Sequence, residues 1–99
     1  FFINPVFSGT GMQIKTVEAM SYGLAPVCYQ EIAQDAGIVH MENGWVARDE
    51  DHFAEGVITL LHDKDLRKRL GENAREAIKN SMSIERLDQL MSNFIQRVQ

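Results

Sequence analysis

The residue types best suited to chemistry gather in one stretch, Pro5-Val6-Phe7-Ser8-Gly9-Thr10-Gly11-Met12-Gln13-Ile14-Lys15-Thr16-Val17-Glu18-Ala19-Met20. Two glycines among small hydroxyl residues follow an apolar segment, and a helical pattern follows the glycines. Strand, tight turn and helix in that order make a seat for an anion. The first amides of a helix have no intrahelical acceptor, and the macrodipole sets positive potential over the turn. A helix that begins near Gly11 aims the N–H groups of Met12, Gln13 and Ile14 at a bound phosphate. Lys15 could neutralise a diphosphate at the helix mouth, because a cation in the first turn otherwise opposes the dipole. Glu18 lies three residues further along the same face, and a carboxylate accepts two hydrogen bonds from a vicinal diol. The plain alternative is a tight turn followed by a solvated Lys15–Glu18 pair worth only ~0.3 kcal/mol. The dinucleotide pattern is incomplete, with Ile14 where a third glycine belongs, and the Walker pattern is absent.

Other reactive side chains give weaker signals. His40, His52 and His62 are spaced too widely and irregularly for a ligand motif, no acidic or cysteine cluster completes a metal site, and all three read as surface or boundary histidines. Cys28 stands inside an apolar strand pattern and reads as a small buried hydrophobe rather than a nucleophile. Lys64, Arg67, Lys68, Arg69, Arg75 and Lys79 alternate with Asp65, Glu72 and Glu76. They read first as a solvated helix face, with attraction to an anionic lipid surface as the minor alternative.

Positioning the glycine stretch requires an α/β arrangement, since short apolar runs alternate with helical patterns and imply a mainly parallel sheet. The expected elements are a strand over Phe2 to Val6, a helix over Gly11 to Tyr22 stopped by Gly23, and a strand over Ala25 to Tyr29. The apolar character of this second strand suits burial on both faces. One helical turn over Glu31 to Asp35 should end at Gly37. A short strand is a candidate over Ile38 to Met41, with a turn at Asn43-Gly44 and extended chain over Trp45 to Ala47. Asp49, Glu50 and Asp51 begin a helix that turns Phe53, Val57, Leu60 and Leu61 inward. Asp63 or Lys64 begins another, with Leu66, Leu70, Ala74, Ala77 and Ile78 inward, ending near Asn80. Ser83 can cap a last helix whose stripe is Ile84, Leu87, Leu90, Met91, Phe94 and Ile95. That stripe is broad enough to cover a neighbouring domain as well as this one.

Length and composition set bounds on function. The chain has 99 residues, 44% of them hydrophobic, and a net charge of -4. This fits one small folded domain or part of a larger one, and gives no electrostatic case for nucleic acid as a partner. The lack of an initiator Met and the start inside an apolar run favour a fragment. No apolar run approaches the ~20 residues needed to span a bilayer, and no signal peptide is apparent. The single cysteine excludes an internal disulfide and fits a reducing, cytoplasmic setting, with peripheral attachment to a membrane's inner face as an extension.

The run from Gly9 to Val27, Gly-Thr-Gly-Met-Gln-Ile-Lys-Thr-Val-Glu-Ala-Met-Ser-Tyr-Gly-Leu-Ala-Pro-Val, resembles the donor-site signature of retaining glycosyltransferases of the GT-B fold, the family 4 or group 1 type. The similarity continues through Asn43-Gly44-Trp45-Val46-Ala47 and Phe53-Ala54 into the closing helices. Glu18 matches the second glutamate of the family's Glu, seven residues, Glu pattern, which holds the ribose of a nucleotide sugar. The first glutamate falls at Thr10, where this sequence departs from the pattern.

The resemblance implies a Rossmann-like parallel sheet with flanking helices, forming the C-terminal portion of a GT-B enzyme. The donor seat would then comprise Gly9, Thr10, Gly11, Met12, Gln13, Lys15 and Glu18. The nucleotide sugar would be a substrate, with no cofactor and no metal, and this part would contribute no catalytic residue of its own. An unidentified acceptor would be bound mainly by a missing N-terminal domain, so the 99 residues alone should show no turnover. The alternatives are a nucleotide-sugar epimerase of the same fold and a non-catalytic α/β interaction domain.

Overall fold

The structure, a computed structural model, describes residues 1–5, 10–81, 89, 91–93 and 95, with the backbone alone at 10–13 and 81. The elements bounded among these residues are, in order, β1 (Phe2–Ile3), α1 (Thr10–Ser21), β2 (Pro26–Tyr29), α2 (Gln30–Ala36), β3 (Trp45–Ala47), α3 (Glu50–His62) and α4 (Lys64–Ser81). The strands lie in the order β1-β2-β3 and all pair in parallel, with Phe2 opposite Pro26 and Val27 opposite Trp45. Parallel neighbours need a crossover between them, and α1 and α2 supply it. The fold is thus the α/β, Rossmann-like sheet with flanking helices that the sequence implies.

The central strand explains the two-sided core. All four residues of β2 are buried. Cys28 faces Val17 and Met20 of α1 and Ile32, Ala33 and Ala36 of α2. Val27 and Tyr29 face the other way, sharing a cluster with Trp45, Ala47 and Leu60 of α3. Alternation along the strand therefore puts α1 and α2 over one face and α3 over the other.

α4 joins the two layers. Its first half places Leu70 in the α3-side cluster, and its second half places Ala74 and Ile78 in the α1-side cluster. At the crossing, Gly71 meets the backbone of Gly23 and Ala25 just ahead of β2, where a Cβ would collide with the Gly23 carbonyl oxygen. The helix therefore passes along the amino-terminal edge of the sheet. Among the described residues the carboxyl edge carries a cavity beyond β2 and β3.

Several local expectations change. The first strand is shorter than expected, Phe2–Ile3 among the described residues, and α1 starts one residue early and ends at Ser21. Gly23 does stop α1, at φ 80°. α2 runs for seven residues rather than one turn and ends at Gly37, φ 73°, whose amide donates to the Ala33 carbonyl. Ile38 to Met41 is not a strand. Asn43 draws it into a loop, its Oδ1 accepting from the Val39 amide at 2.7 Å and its Nδ2 donating to the Gly37 carbonyl at 3.2 Å, leaving only a bridge between His40 and Gly44.

α3 starts as expected, with Asp49 accepting from the His52 amide at 2.8 Å. Leu61 does not turn inward and is 59% exposed. It sits about 100° round the helix from Leu60, past the covered arc. Leu66 and Ala77 are only half-buried. The expected Ser83 cap and the stripe residues Ile84, Leu87, Leu90 and Phe94 lie outside the described residues. Met91 and Ile95 are described, and both are exposed.

Candidate functional site

The opening of α1 follows the carboxyl end of β1. Asn4, just past the strand, donates from Nδ2 to Oγ1 of Thr16 at 3.0 Å, both side chains being buried, and this ties the strand end to the helix. Because α1 begins at Thr10, its first turn is Thr10, Gly11, Met12 and Gln13, whose amides have no partner within the helix. The backbone of these four is helical. Their side chains, and Gly9 altogether, lie outside the described residues. α1 has no acidic residue in its first turn, so no side chain there offsets the positive end of its dipole.

Lys15 and Glu18 are both exposed, while Thr16 and Val17 between them are buried. The pair therefore projects from the side of α1 away from the core, accessible to a ligand or to water. Ser21 donates from Oγ to the Glu18 carbonyl at 2.6 Å and helps finish the helix.

On the carboxyl edge of the sheet lies a cavity of about 730 Å³. It sits beyond the ends of β2 and β3, and its polar lining is Tyr29, Gln30, Glu31, His40, Arg48 and His52. No described residue of α1 lines it, so Lys15 and Glu18 stand apart from the cavity. Tyr29 stacks on Phe53, ring centroids 4.9 Å apart. Burial, then the charges of Glu50 and Asp49, raise the Tyr29 phenol above its ordinary value.

Two of the three histidines, His40 and His62, are exposed as expected, and the departure lies in His52 and in the meeting of two rings. His40 and His52, twelve positions apart, bring their rings to 5.3 Å, and His52 is buried rather than a surface residue. Trp45 stands against both rings, and its Nε1–H donates to the His52 carbonyl at 3.0 Å. The loop closed by Asn43 brings His40 alongside β3, and the first turn of α3 brings His52. Neither placement follows from spacing. The available signal was the Asn43-Gly44 turn, which loops the chain between His40 and Trp45, with His40 and Gly44 bridged in parallel. Among the described residues no group of three or more His, Cys, Asp or Glu converges on one point.

Cys28 is wholly buried, and burial pushes its thiol up to about 12, which removes it as a nucleophile as expected. Along α4, Lys64, Lys68, Arg69, Arg75 and Lys79 are exposed, as a solvated face requires. Arg67 differs. Its Nη1 donates to the Leu60 carbonyl at 2.9 Å and to the Leu61 carbonyl at 3.3 Å, tying the end of α3 to α4. No helix among the described residues is long and apolar enough to cross a membrane.

Comparison with known proteins converges on the same stretch. The chain is 29% identical over 84 residues to an uncharacterized glycosyltransferase of Methanocaldococcus jannaschii. The matched part is 83% of this chain and 21% of the relative, so the chain spans about a fifth of that protein's length. No solved structure matches. The family described as glycosyl transferases group 1 matches residues 8–77, from the glycine turn through α1, β2, α2, β3 and α3 into the later turns of α4, with β1 ahead of the match. With α1, β2, α2, β3 and α3 all inside that match, which covers well over half of its residues, the chain belongs to the group 1 glycosyl transferases.

Proposed function

We propose that the chain is the donor-binding portion of a retaining glycosyltransferase of the GT-B fold, family 4 type, lying in the C-terminal domain. The enzyme transfers a hexose-type sugar from a nucleotide diphosphate sugar to an acceptor held mainly by a separate N-terminal domain, on the cytoplasmic side. The donor is a substrate, and neither a cofactor nor a metal is called on.

What carries the reading is a coincidence. The family match begins at the glycine turn, and the helix that follows presents its first-turn amides at the carboxyl edge of the sheet and carries, further along, an exposed cation and an exposed carboxylate. Ligands in open α/β sheets sit at that edge.

In this reading the amides of Thr10, Gly11, Met12 and Gln13, after the turn at Gly9, cradle the pyrophosphate, and Lys15 offsets its charge. Glu18 accepts from both ribose hydroxyls. As the glycosidic bond breaks, the departing nucleoside diphosphate gains negative charge, and preorganised amides aimed at it lower the barrier. The sugar end extends toward the cavity lined by Gln30, Glu31 and Arg48, where amide, carboxylate and guanidinium suit a polyhydroxyl ligand.

The test is kinetic, on the full-length protein that carries this chain. Glu18→Ala removes a charge-assisted pair of hydrogen bonds and should lower kcat/KM for the donor by about tenfold to a hundredfold. Lys15→Ala should lower it by about tenfold. Because both side chains are exposed, folding stability should stay within about 0.5 kcal/mol of wild type. Wild-type kinetics in both variants would remove the site assignment.

A further inference from the structure

We propose that His40 and His52 form a proton-operated clip on the outer edge of β3, which holds the wall of the carboxyl-edge cavity while both imidazoles are neutral and releases it when they are protonated. The clip rests on hydrogen-bond geometry and needs no assumption about the donor site.

Among the described residues β3 has a strand partner on one side only, so its alternate amides point outward without a neighbouring strand to receive them. Two imidazoles receive them instead. The Val46 amide donates to Nδ1 of His40 at 3.0 Å, and the Arg48 amide donates to Nδ1 of His52 at 3.1 Å. Val46 and Arg48 are two positions apart, successive members of one outward row. The rings thus stand where the carbonyls of a further strand would stand. Trp45 braces both, meeting His40 edge-on at 4.7 Å and His52 at 5.0 Å. Both histidines also line the cavity, so the clip and the cavity wall move together.

An imidazole accepts only through an unprotonated nitrogen, so in the clipped state each Nδ1 is bare and each ring keeps its proton on Nε2. A second proton converts each Nδ1 into a donor facing another donor, and the contact must break. The charged and titratable groups around the pair come from every neighbouring element: Tyr29 at the end of β2, Glu31 of α2, Arg48 after β3, and Asp49, Glu50 and Glu55 at the start of α3. Burial, then His52 and Arg48, hold His40 below its ordinary 6.5, and Glu55 opposes them. For a group whose folded state prefers the neutral form, the stabilisation is complete above the unfolded value and fades as pH falls from 6.5 through the folded value. Mild acid should therefore open this edge.

Hydrogen–deuterium exchange of the full-length protein measures the effect. After correction for the intrinsic rate, peptides covering 44–49 should exchange about tenfold faster near pH 5 than near pH 7.5, while peptides over 70–78 keep their protection. Asn places an acceptor oxygen close to the position of Nδ1 and does not titrate. The double variant His40→Asn, His52→Asn should therefore lose the pH dependence at 44–49. Equal protection of 44–49 at both pH values, or the same loss in 70–78, would overturn the clip. So would an Asn variant that opens in acid as wild type does. If the variant fails to fold, the wild-type comparison between the two segments decides alone.

Discussion

At Cys28, sequence and structure agree for a physical reason that can be measured. A thiol in the middle of the central strand sees no water, and burial holds it protonated, up to about 12. A thiol reagent near pH 8 should label the native chain about a thousandfold more slowly than an exposed cysteine, with full labelling in denaturant. Fast native labelling would mean that β2 is not the covered strand. The histidines show the opposite case. His40 and His52 look like unrelated surface residues because a sequence prints separation and not loop geometry. The Asn43 bonds to Val39 and Gly37, with the Val46 amide on its own ring, hold His40 against Trp45. Lys15 and Glu18 were legible as a pair on one helix face because three-residue spacing fixes that directly.

Among the elements, those with strong local signals came out where their residues put them. Asp49 begins α3 and Gly23 ends α1, since a capping carboxylate and a left-handed glycine are local chemistry. The segment from Ile38 to Met41 is apolar enough for a strand, yet a side chain outside it, that of Asn43, competes for its backbone. The route of α4 was not legible at all. The purpose of Gly71 appears only where α4 crosses the backbone of Gly23. Gly71→Ala should destabilise the fold by about 2 kcal/mol through forced separation of α4 from that turn, measured by urea unfolding. Gly56→Ala, whose Cβ would strike the Trp45 indole, should act in the same direction. Unchanged midpoints in both would contradict the packing described.

For the molecule as a whole, the arrangement of closed and open edges matters most. α4 crosses the amino edge ahead of β2, and the carboxyl edge carries both the mouth of α1 and the cavity beyond β2 and β3. The parallel α/β class followed from the alternation of apolar runs and helices, and the family from residues between Gly9 and Val27. What the chain could not reveal is how the edge is shared, because His40, Arg48 and His52 meet there only after three elements have folded. The most direct measurement is calorimetric titration of the full-length protein with the diphosphates of uridine, guanosine and adenosine. At least one should bind, and Glu18→Ala and Lys15→Ala should each weaken that binding by about tenfold while leaving the fold intact. Absence of binding by all three, or equal affinity in wild type and both variants, would contradict a donor seat at the opening of α1.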